Sequence, residues 1–266
     1  MARHNYVHRF FAGFIAGICC VFLEVILKFF NVNYIIGSFG FLAIILVMAV
    51  YEIKIRDRYK YMPTLIEEDC DPQSIIDEMT ELLKKRFVLN YKKRLSNNDA
   101  QICFVIKIIC HINAGEYDKA SEDLSNIDIK ILSKYPKWAI RFYLALSDIQ
   151  LENNDIEKAK KYLNEALSII KINKKMIHNN LNAIALLKAK MRIKESDYYK
   201  AEKCLNETDD NCSTLELIKK SYLLALIYMH NQRNIEAEEK LNYIINIGNK
   251  LCYVELAKEM KKSFCK

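Results

Sequence analysis

The chain has 266 residues, 52% of them hydrophobic and 27% charged, a balance that excludes disorder and fits one medium domain with a membrane segment or two small domains. Its 6 glycines and 3 prolines are too few for the frequent sharp turns of β-sandwiches, barrels and glycine-rich nucleotide folds. Of the net charge of +7, residues 1–60 carry +4, so the remaining residues are close to balance and nucleic acid is not an expected partner.

Two apolar stretches near the N-terminus, residues 10–30 and 35–53, are each long enough to cross the roughly 30 Å of bilayer hydrocarbon. Only residues 31–34 separate them, so the two predicted transmembrane helices form a hairpin. Basic residues flank both outer ends, and the turn is uncharged. Because cytoplasmic flanks retain Lys and Arg, we expect a protein integral to the cytoplasmic membrane with both termini cytoplasmic. A cleaved signal peptide is the competing interpretation, but the apolar run is too long and no small-x-small cleavage site follows.

Small residues on the predicted spans allow close helix packing, and these are Gly13, Gly17, Gly37 and Gly40. We expect packing within the hairpin, while the G-x-x-x-G spacing also admits a homodimer through the membrane helices. Glu24 and Lys28 are four residues apart and form a predicted intramembrane ion pair. Since Lys28 can reach the headgroups, a structural pair is favoured over an ion path or a membrane enzyme that uses these two groups.

Residues 61–97 are predicted to be a juxtamembrane linker followed by an amphipathic helix over about 73–95. Asp71 and Pro72 mark its start, because Asp caps free N–H groups and Pro is tolerated in the first turn. The helix carries the strongest basic cluster of the chain, a predicted membrane-surface patch of Lys84, Lys85, Arg86, Lys92, Lys93 and Arg94. Contact with anionic headgroups, at about 1 kcal/mol per charge, and an ordinary solvated face are both open interpretations.

Beyond residue 98, apolar-periodic segments alternate with short polar turns of similar sequence: AGEYDKA, NNDIEKA, ESDYYKA and QRNIEA. Each turn ends in an alanine followed four residues later by a leucine, namely Ala120 and Leu124, Ala159 and Leu163, Ala201 and Leu205, and Ala237 and Leu241. Twelve residues before these alanines stand Ile108, Ser147, Ala189 and Ala225, three of them small. Closely crossing antiparallel helices need small residues at the crossing, so the pattern predicts four stacked helix pairs.

This arrangement resembles the tetratricopeptide repeat, whose pattern places a small residue, a Gly-Asp-Tyr turn, an alanine and a large apolar residue in this order. The resemblance covers residues 98–250. The alanine spacings of 39, 42 and 36 residues exceed the family's usual 34 or so, and no repeat ends in the family's proline. The resemblance implies an α-solenoid, a right-handed superhelix of antiparallel helix pairs. Together with the transmembrane hairpin predicted for residues 1–60, it gives an all-α fold. Residues 251–266 would form a capping helix.

Tetratricopeptide proteins bind peptides or partner proteins in the concave groove formed by the first helix of each repeat. The resemblance places a mixed, mildly basic set of residues there: Asn113, Arg141, Asp148, Lys190, Lys194, Lys219, Tyr222 and His230. Members that grip a C-terminal carboxylate use Lys and Asn on the first repeat, but Val105 and Ile109 occupy those positions here. That type of groove is therefore not expected, and the first repeat is expected to pack against the preceding basic helix.

No nucleotide-binding, nucleophile, zinc-protease or EF-hand motif is present, so we expect no enzyme activity, cofactor or metal. Nine cysteines without a C-x-x-C spacing predict free thiols in a reducing compartment, and the richness in Ile, Lys and Asn favours a bacterial source. The predicted function is a membrane-anchored cytoplasmic scaffold or adaptor for a protein or peptide partner. The alternative is a membrane-bound regulator that senses a peptide.

Overall fold

The computed structural model describes residues 66–87, 98–208 and 212–264, without the side chains of residues 84–87 and 264. The chain divides into two compact units, Met1–Arg58 and Tyr59–Lys266, and every described residue belongs to the second. The predicted spans 10–30 and 35–53, with their glycines and the Glu24 and Lys28 pair, lie outside the described residues. So do the side chains of the basic patch. Within the described ranges, no helix is long and apolar enough to cross a membrane.

The regular structure of the described residues is entirely helical, which confirms the predicted all-α class for this part of the chain. The helices are α1 (Pro72–Phe87), α2 (Asn98–Asn113), α3 (Tyr117–Leu124), α4 (Ile129–Leu132), α5 (Pro136–Glu152), α6 (Ile156–Ile172), α7 (Leu181–Lys194), α8 (Tyr198–Asn206), α9 (Thr214–His230), α10 (Asn234–Ile247) and α11 (Cys252–Phe264). Two short 3₁₀ turns, Lys174–Met176 and His178–Asn180, lead into α7. The sequence had not indicated the short helix α4.

Eight of these helices form four successive pairs, α2 with α3, α5 with α6, α7 with α8, and α9 with α10. The first helices of the pairs pack side by side in the order α2, α5, α7 and α9, and α11 continues this layer by packing on α9. The second helices pack mainly on the first helices of their own pairs. Helix α1 packs on α2, as expected for the segment that precedes the first repeat.

The turns within the four pairs share one backbone geometry. Each has three residues, and the second residue has a positive φ: Gly115 at 78°, Asn154 at 57°, Ser196 at 61° and Gln232 at 58°. The N–H of the third residue donates to a carbonyl five residues earlier, from Glu116 to His111, Asp155 to Gln150, Asp197 to Arg192 and Arg233 to Tyr228, at 2.8 to 2.9 Å. This is the Schellman closure of a helix end. Its recurrence in all four turns makes the pairs structural repeats.

The predicted crossing positions are all fully buried. The four alanines, Ala120, Ala159, Ala201 and Ala237, and their partners, Ile108, Ser147, Ala189 and Ala225, are each 0% exposed. In the second pair the hydroxyl of Ser147 donates to the carbonyl of Ala159 at 2.9 Å, so the two helix backbones lie close together. The large residue of the set, Ile108, lies in the first pair, whose second helix has only eight residues. Small residues therefore occupy both crossing positions in the other three pairs.

The C-terminal end of the layer contacts the segment that precedes α1. The side-chain amide of Asn249 donates to the carbonyl of Asp69 at 2.8 Å, and the backbone N–H of Lys250 donates to the carbonyl of Cys70 at 3.2 Å. The ammonium of Lys250 also pairs with Asp71 at 2.5 Å. We call these contacts the seam. They join residues about 180 positions apart.

Helix α11 also meets the end of the first pair. A Cβ atom added to Gly115 would lie 3.0 Å from Cβ of Cys252, and Sγ of Cys252 lies 4.0 Å from the carbonyl oxygen of Ile112. At this end, α11 therefore closes the gap between the last pair and the first. The repeats had predicted a right-handed superhelix, and this contact of α11 was not part of that prediction.

Candidate binding cavity

The first helices of the pairs and α11 line a partly open cavity of about 650 Å³. Its walls come from α2, α5, α7, α9 and α11, with additional residues from segments 66–67 and 179–180. Apolar side chains such as Leu144, Leu186 and Leu223 form much of this wall, and a small number of charged and tyrosine side chains interrupt it. This size and this mixture of groups are typical of pockets that hold a small ligand or a short peptide.

Six of the eight predicted groove residues line the cavity, namely Asn113, Arg141, Asp148, Lys190, Lys219 and Tyr222. Two do not. The ammonium of Lys194 donates to the side-chain oxygen of Asn154 in a neighbouring turn, at 2.9 Å and exposed. The ring of His230 stacks on Tyr198 with centroids 3.6 Å apart, so this histidine contributes to the packing of α8 on α9.

Five carboxylates that the sequence analysis had not predicted also line the cavity: Glu67, Glu152, Glu216, Glu255 and Glu259. With Asp148 they make six acidic groups against three basic ones, so the lining has a formal balance of −3 and not the mildly basic character expected. Glu255 and Glu259 come from α11 and Glu67 from the segment before α1. Both regions lie outside the repeats, so the repeat register carried no signal for these three.

Lys190 lies between two carboxylates on α5. Its ammonium is 2.5 Å from an oxygen of Asp148 and 2.5 Å from an oxygen of Glu152. Burial by itself would raise the pKa of Asp148, but the charges of Lys190 and Lys219 and the hydrogen bond from Lys190 together outweigh it and hold that pKa below its usual value. Burial likewise opposes the charge on Lys190, and the two carboxylates overcome this and raise its pKa. Asp148 and Lys190 are therefore both charged at neutral pH, and the ammonium of Lys190 contacts both carboxylates.

Lys219 differs from Lys190, because its ammonium has no hydrogen bond or ion pair with any described residue. It is half-buried, and it lines the cavity. Burial lowers its pKa, the nearby charge of Lys190 lowers it further, and Asp148 offsets only part of this. The third basic group of the lining, Arg141, is paired with Glu67 at 3.0 Å. Lys219 is thus the one basic side chain of the described lining with no carboxylate in contact.

Three tyrosines surround the charged groups. Tyr222 and Tyr253 lie in contact, with ring centroids 5.2 Å apart and ring planes at 58°, and Tyr117 lines the same part of the cavity. Burial raises the pKa of all three phenols, and neighbouring carboxylates raise it further. Their hydroxyl groups are therefore neutral over the physiological range, and each can donate or accept a hydrogen bond.

Asn113 supplies a buried acceptor at the end of α2. Its residue is 0% exposed, and its side-chain N–H donates to the carbonyl of Ile109 at 2.8 Å. Its Oδ1 has no hydrogen-bond donor among the described residues. A buried acceptor left without a donor costs about 1 to 3 kcal/mol.

Comparisons with protein-family models, curated proteins and solved structures find no match to this chain. Within the described ranges, no group of three His, Cys, Asp or Glu side chains is arranged to hold a metal ion. The cavity geometry is therefore the basis for a function.

Proposed function

We propose that this protein is a membrane-anchored, tetratricopeptide-like scaffold that binds a peptide segment in the cavity lined by its first helices. The repeated turn geometry and the fully buried small residues at the crossings support the tetratricopeptide likeness. The apolar stretches of residues 10–30 and 35–53, with their basic flanks, support the membrane anchor. The α-solenoid of this proposal is closed by α11.

The observation that carries this proposal is the cavity itself. Every first helix contributes to it, its volume of about 650 Å³ accommodates a few residues of extended peptide, and its wall offers both apolar surface and hydrogen-bonding groups. A nucleic acid is a poor ligand for it, because the six carboxylates of the lining repel phosphates. The ligand is a short segment, since a volume of about 650 Å³ is too small for a long helix.

The test blocks the cavity without disturbing the outer surface. Ala183 lines the cavity on α7, and Lys188 on the same helix is exposed and does not line it. We expect the full-length protein, purified in detergent, to release bound peptides on acid treatment, as detected by mass spectrometry. Ala183→Trp should lose these peptides and Lys188→Trp should keep them, with far-UV circular dichroism used to verify that both fold. The same peptides recovered from Ala183→Trp would refute the proposal.

The membrane anchor has a separate test. We expect the full chain to stay in the membrane pellet after alkaline carbonate washing, because a transmembrane hairpin is held by its apolar spans and not by charge. Deleting residues 1–60 should move the protein to the supernatant. A full chain that the carbonate releases would contradict the anchor while leaving peptide binding untouched.

The seam favours one second candidate function, a regulator that senses the peptide. It ties Asn249 and Lys250, next to the cavity wall, to residues 69–71, which lie in the predicted juxtamembrane linker of residues 61–97. In a sensor, peptide binding changes this contact. Hydrogen exchange at residues 69–71 and 249–251 should then differ between the peptide-bound and peptide-free protein, and equal exchange in the two states supports the scaffold.

A further inference from the structure

We propose that this protein makes a second membrane contact, in which exposed isoleucine and lysine side chains of the helical unit dock on anionic lipid headgroups. These side chains lie on the two connections that precede α5 and α7, at residues 129–134 and 171–177, and we call them the docking edge. The inference goes beyond peptide binding and rests on the proposed membrane anchor, which brings the helical unit near a bilayer.

The connection between α6 and α7 presents apolar and basic side chains to solvent. Ile172 is 82% exposed and Ile177 is 41% exposed. Lys171, Lys174 and Lys175 are exposed beside them, and no carboxylate of the described residues contacts their ammonium groups. Apolar side chains flanked by lysines are the combination with which proteins bind at a membrane surface, since the lysines meet the headgroups and the apolar groups enter the acyl boundary.

Hydrogen bonds and packing fix the shape of this connection. The N–H of Met176 donates to the carbonyl of Asn173 at 2.8 Å, and the side-chain amide of Asn180 donates to the carbonyl of Met176 at 2.8 Å. The side chain of Met176 packs against an apolar cluster that contains Ile140 of α5 and Ile184 of α7. Because the backbone is already ordered, docking costs little conformational entropy.

The connection before α5 carries the same combination of side chains. Ile129 of α4 is 51% exposed, and Lys130 and Lys134 are exposed with no carboxylate of the described residues in contact. Each second helix returns the chain to the end at which the first helices begin, and α5 and α7 pack side by side. The two connections therefore lie at the same edge of the helical unit.

Unpaired positive charge is concentrated at this edge. At the opposite edge, formed by the turns within the pairs, three lysines each pair with a carboxylate three residues earlier, at 2.6 to 2.7 Å: Lys119 with Glu116, Lys158 with Asp155, and Lys200 with Asp197. By contrast, residues 166–194 include seven basic residues and no acidic one. The third connection, residues 207–213, has three acidic residues and no basic one, so the docking edge ends before it. The charge of the edge is complementary to anionic headgroups.

The proposed anchor keeps this edge within reach of the lipid. Residues 54–65 join the second predicted span to Ile66, the first described residue, and a chain of twelve residues reaches at most about 40 Å. A weak surface contact is sufficient at this range, because docking takes place within one tethered molecule. An acidic protein would have to be captured from solution, so the headgroups are the occupant that the observations favour.

The test detects lipid contact with a tryptophan placed on the docking edge. Ile172→Trp and Ile235→Trp replace isoleucines of nearly equal exposure, 82% and 78%, but residue 235 is followed by glutamates and not by lysines. Each full-length variant is reconstituted into vesicles of brominated phosphatidylcholine, with or without about 30% phosphatidylglycerol. Wild type, with its buried Trp138, gives the baseline. We expect bromine to quench position 172 in the anionic vesicles only, and position 235 in neither.

Charge variants of the Ile172→Trp protein assign the quenching to the lysines. Three substitutions on the docking edge should lower the docking equilibrium about a hundredfold, at about fivefold per charge, and return the fluorescence to the baseline: Lys171→Gln, Lys174→Gln and Lys175→Gln. Three control substitutions remove the same charge from the opposite edge and should keep the quenching: Lys119→Gln, Lys158→Gln and Lys200→Gln. Salt at about 0.5 M should also remove the quenching by screening. Far-UV circular dichroism verifies that each variant folds.

The outcomes separate docking from the anchor. In a protein that resists the carbonate wash, the anchor stands, and docking is overturned by equal quenching at positions 172 and 235, by equal quenching in the two kinds of vesicle, or by quenching that survives loss of the three lysines. An edge that binds an acidic protein gives no quenching in these vesicles, which also overturns docking.

A full chain that carbonate releases overturns the anchor, and docking is then measured by co-sedimentation with the same vesicles. Binding that requires both phosphatidylglycerol and the three lysines of the docking edge supports docking, and any other result overturns it.

Discussion

Replacing Lys190 by methionine should destabilise the helical unit more than any other single change in the cavity. The substitution keeps the length and apolar stem of the side chain, but it leaves Asp148 and Glu152 side by side without their shared cation. Removing one partner of a buried ion pair costs about 3 to 5 kcal/mol. Because Glu152 is partly exposed and the charge of Lys219 still acts on Asp148, we expect about 3 kcal/mol.

The single tryptophan of the chain provides the assay. Trp138 lies on α5 and is 9% exposed, so its fluorescence reports unfolding of the helical unit without interference from other tryptophans. Urea titration of the full-length protein in detergent gives the free energy of unfolding. For a unit of this size, about 3 kcal/mol corresponds to a decrease in Tm of about 6 to 12 °C.

Two further variants decide whether charge is the cause. Asp148→Asn alone should cost less than Lys190→Met, since Lys190 then keeps Glu152 as its partner. Adding Asp148→Asn and Glu152→Gln to Lys190→Met should recover most of the lost stability, because no unpaired carboxylate remains. If this triple variant is as unstable as Lys190→Met, or if Lys190→Met unfolds like wild type, the reasoning from the ion pair is wrong.

The same pair sets the acid limit of stability. The folded-state pKa of Asp148 lies below its usual value, so its contribution is fully present above about pH 4, the unfolded pKa, and is lost as the pH falls through the folded value. Wild-type stability should therefore fall more steeply in this acid range than the stability of Asp148→Asn.

Three other predictions concern the crossings, the contact at α11 and Lys219. Ala237→Leu should cost about 1 to 3 kcal/mol by overpacking a fully buried crossing, whereas Glu239→Leu on the exposed side of the same helix should change the unfolding free energy by less than about 0.5 kcal/mol. Gly115→Ala should cost about 1 to 2 kcal/mol in the same urea assay, because its φ of 78° disfavours a side chain and the added Cβ meets Cys252 at 3.0 Å. Between the lowered folded-state pKa of Lys219 and about 10.4, wild-type stability should rise with pH relative to that of Lys219→Met, since the unfolded wild type keeps the proton of Lys219 and the folded protein loses it.

The helix pairs could be predicted from the sequence because small residues recur at the helix crossings. Ala159 and Ser147 could be paired from spacing alone, and the structure joins their helices by a hydrogen bond. The shared turn geometry was less visible. Glycine occupies its positive-φ position only at Gly115, while Ser196 and Gln232 adopt the same conformation with ordinary side chains. Each turn residue with a positive φ lies five positions before the alanine of its turn, and this constant spacing could have predicted all four positions.

The composition of the cavity was only partly accessible. Asp148, Lys190 and Lys219 were correctly predicted to line the binding region from their positions on the first helices, because the register of a helix fixes which face each residue occupies. The closure by α11 depends on contacts such as Asn249 with Asp69, between positions about 180 residues apart, and no local pattern encodes a pairing over that distance. The acidic balance of the lining followed from this closure and was therefore missed.

The seam has a consequence for how this unit comes apart. In linear arrays of helix pairs, the outermost units have a single neighbour and open first under heat or denaturant. Here Lys250, which follows the last pair, contacts Asp71 directly before α1, so the two ends of the helical unit are neighbours. Amide protons at both ends should exchange as slowly as those of α5 and α7, and the whole unit should melt in a single cooperative transition. Lys250→Met should restore fraying from the two ends before it changes the middle.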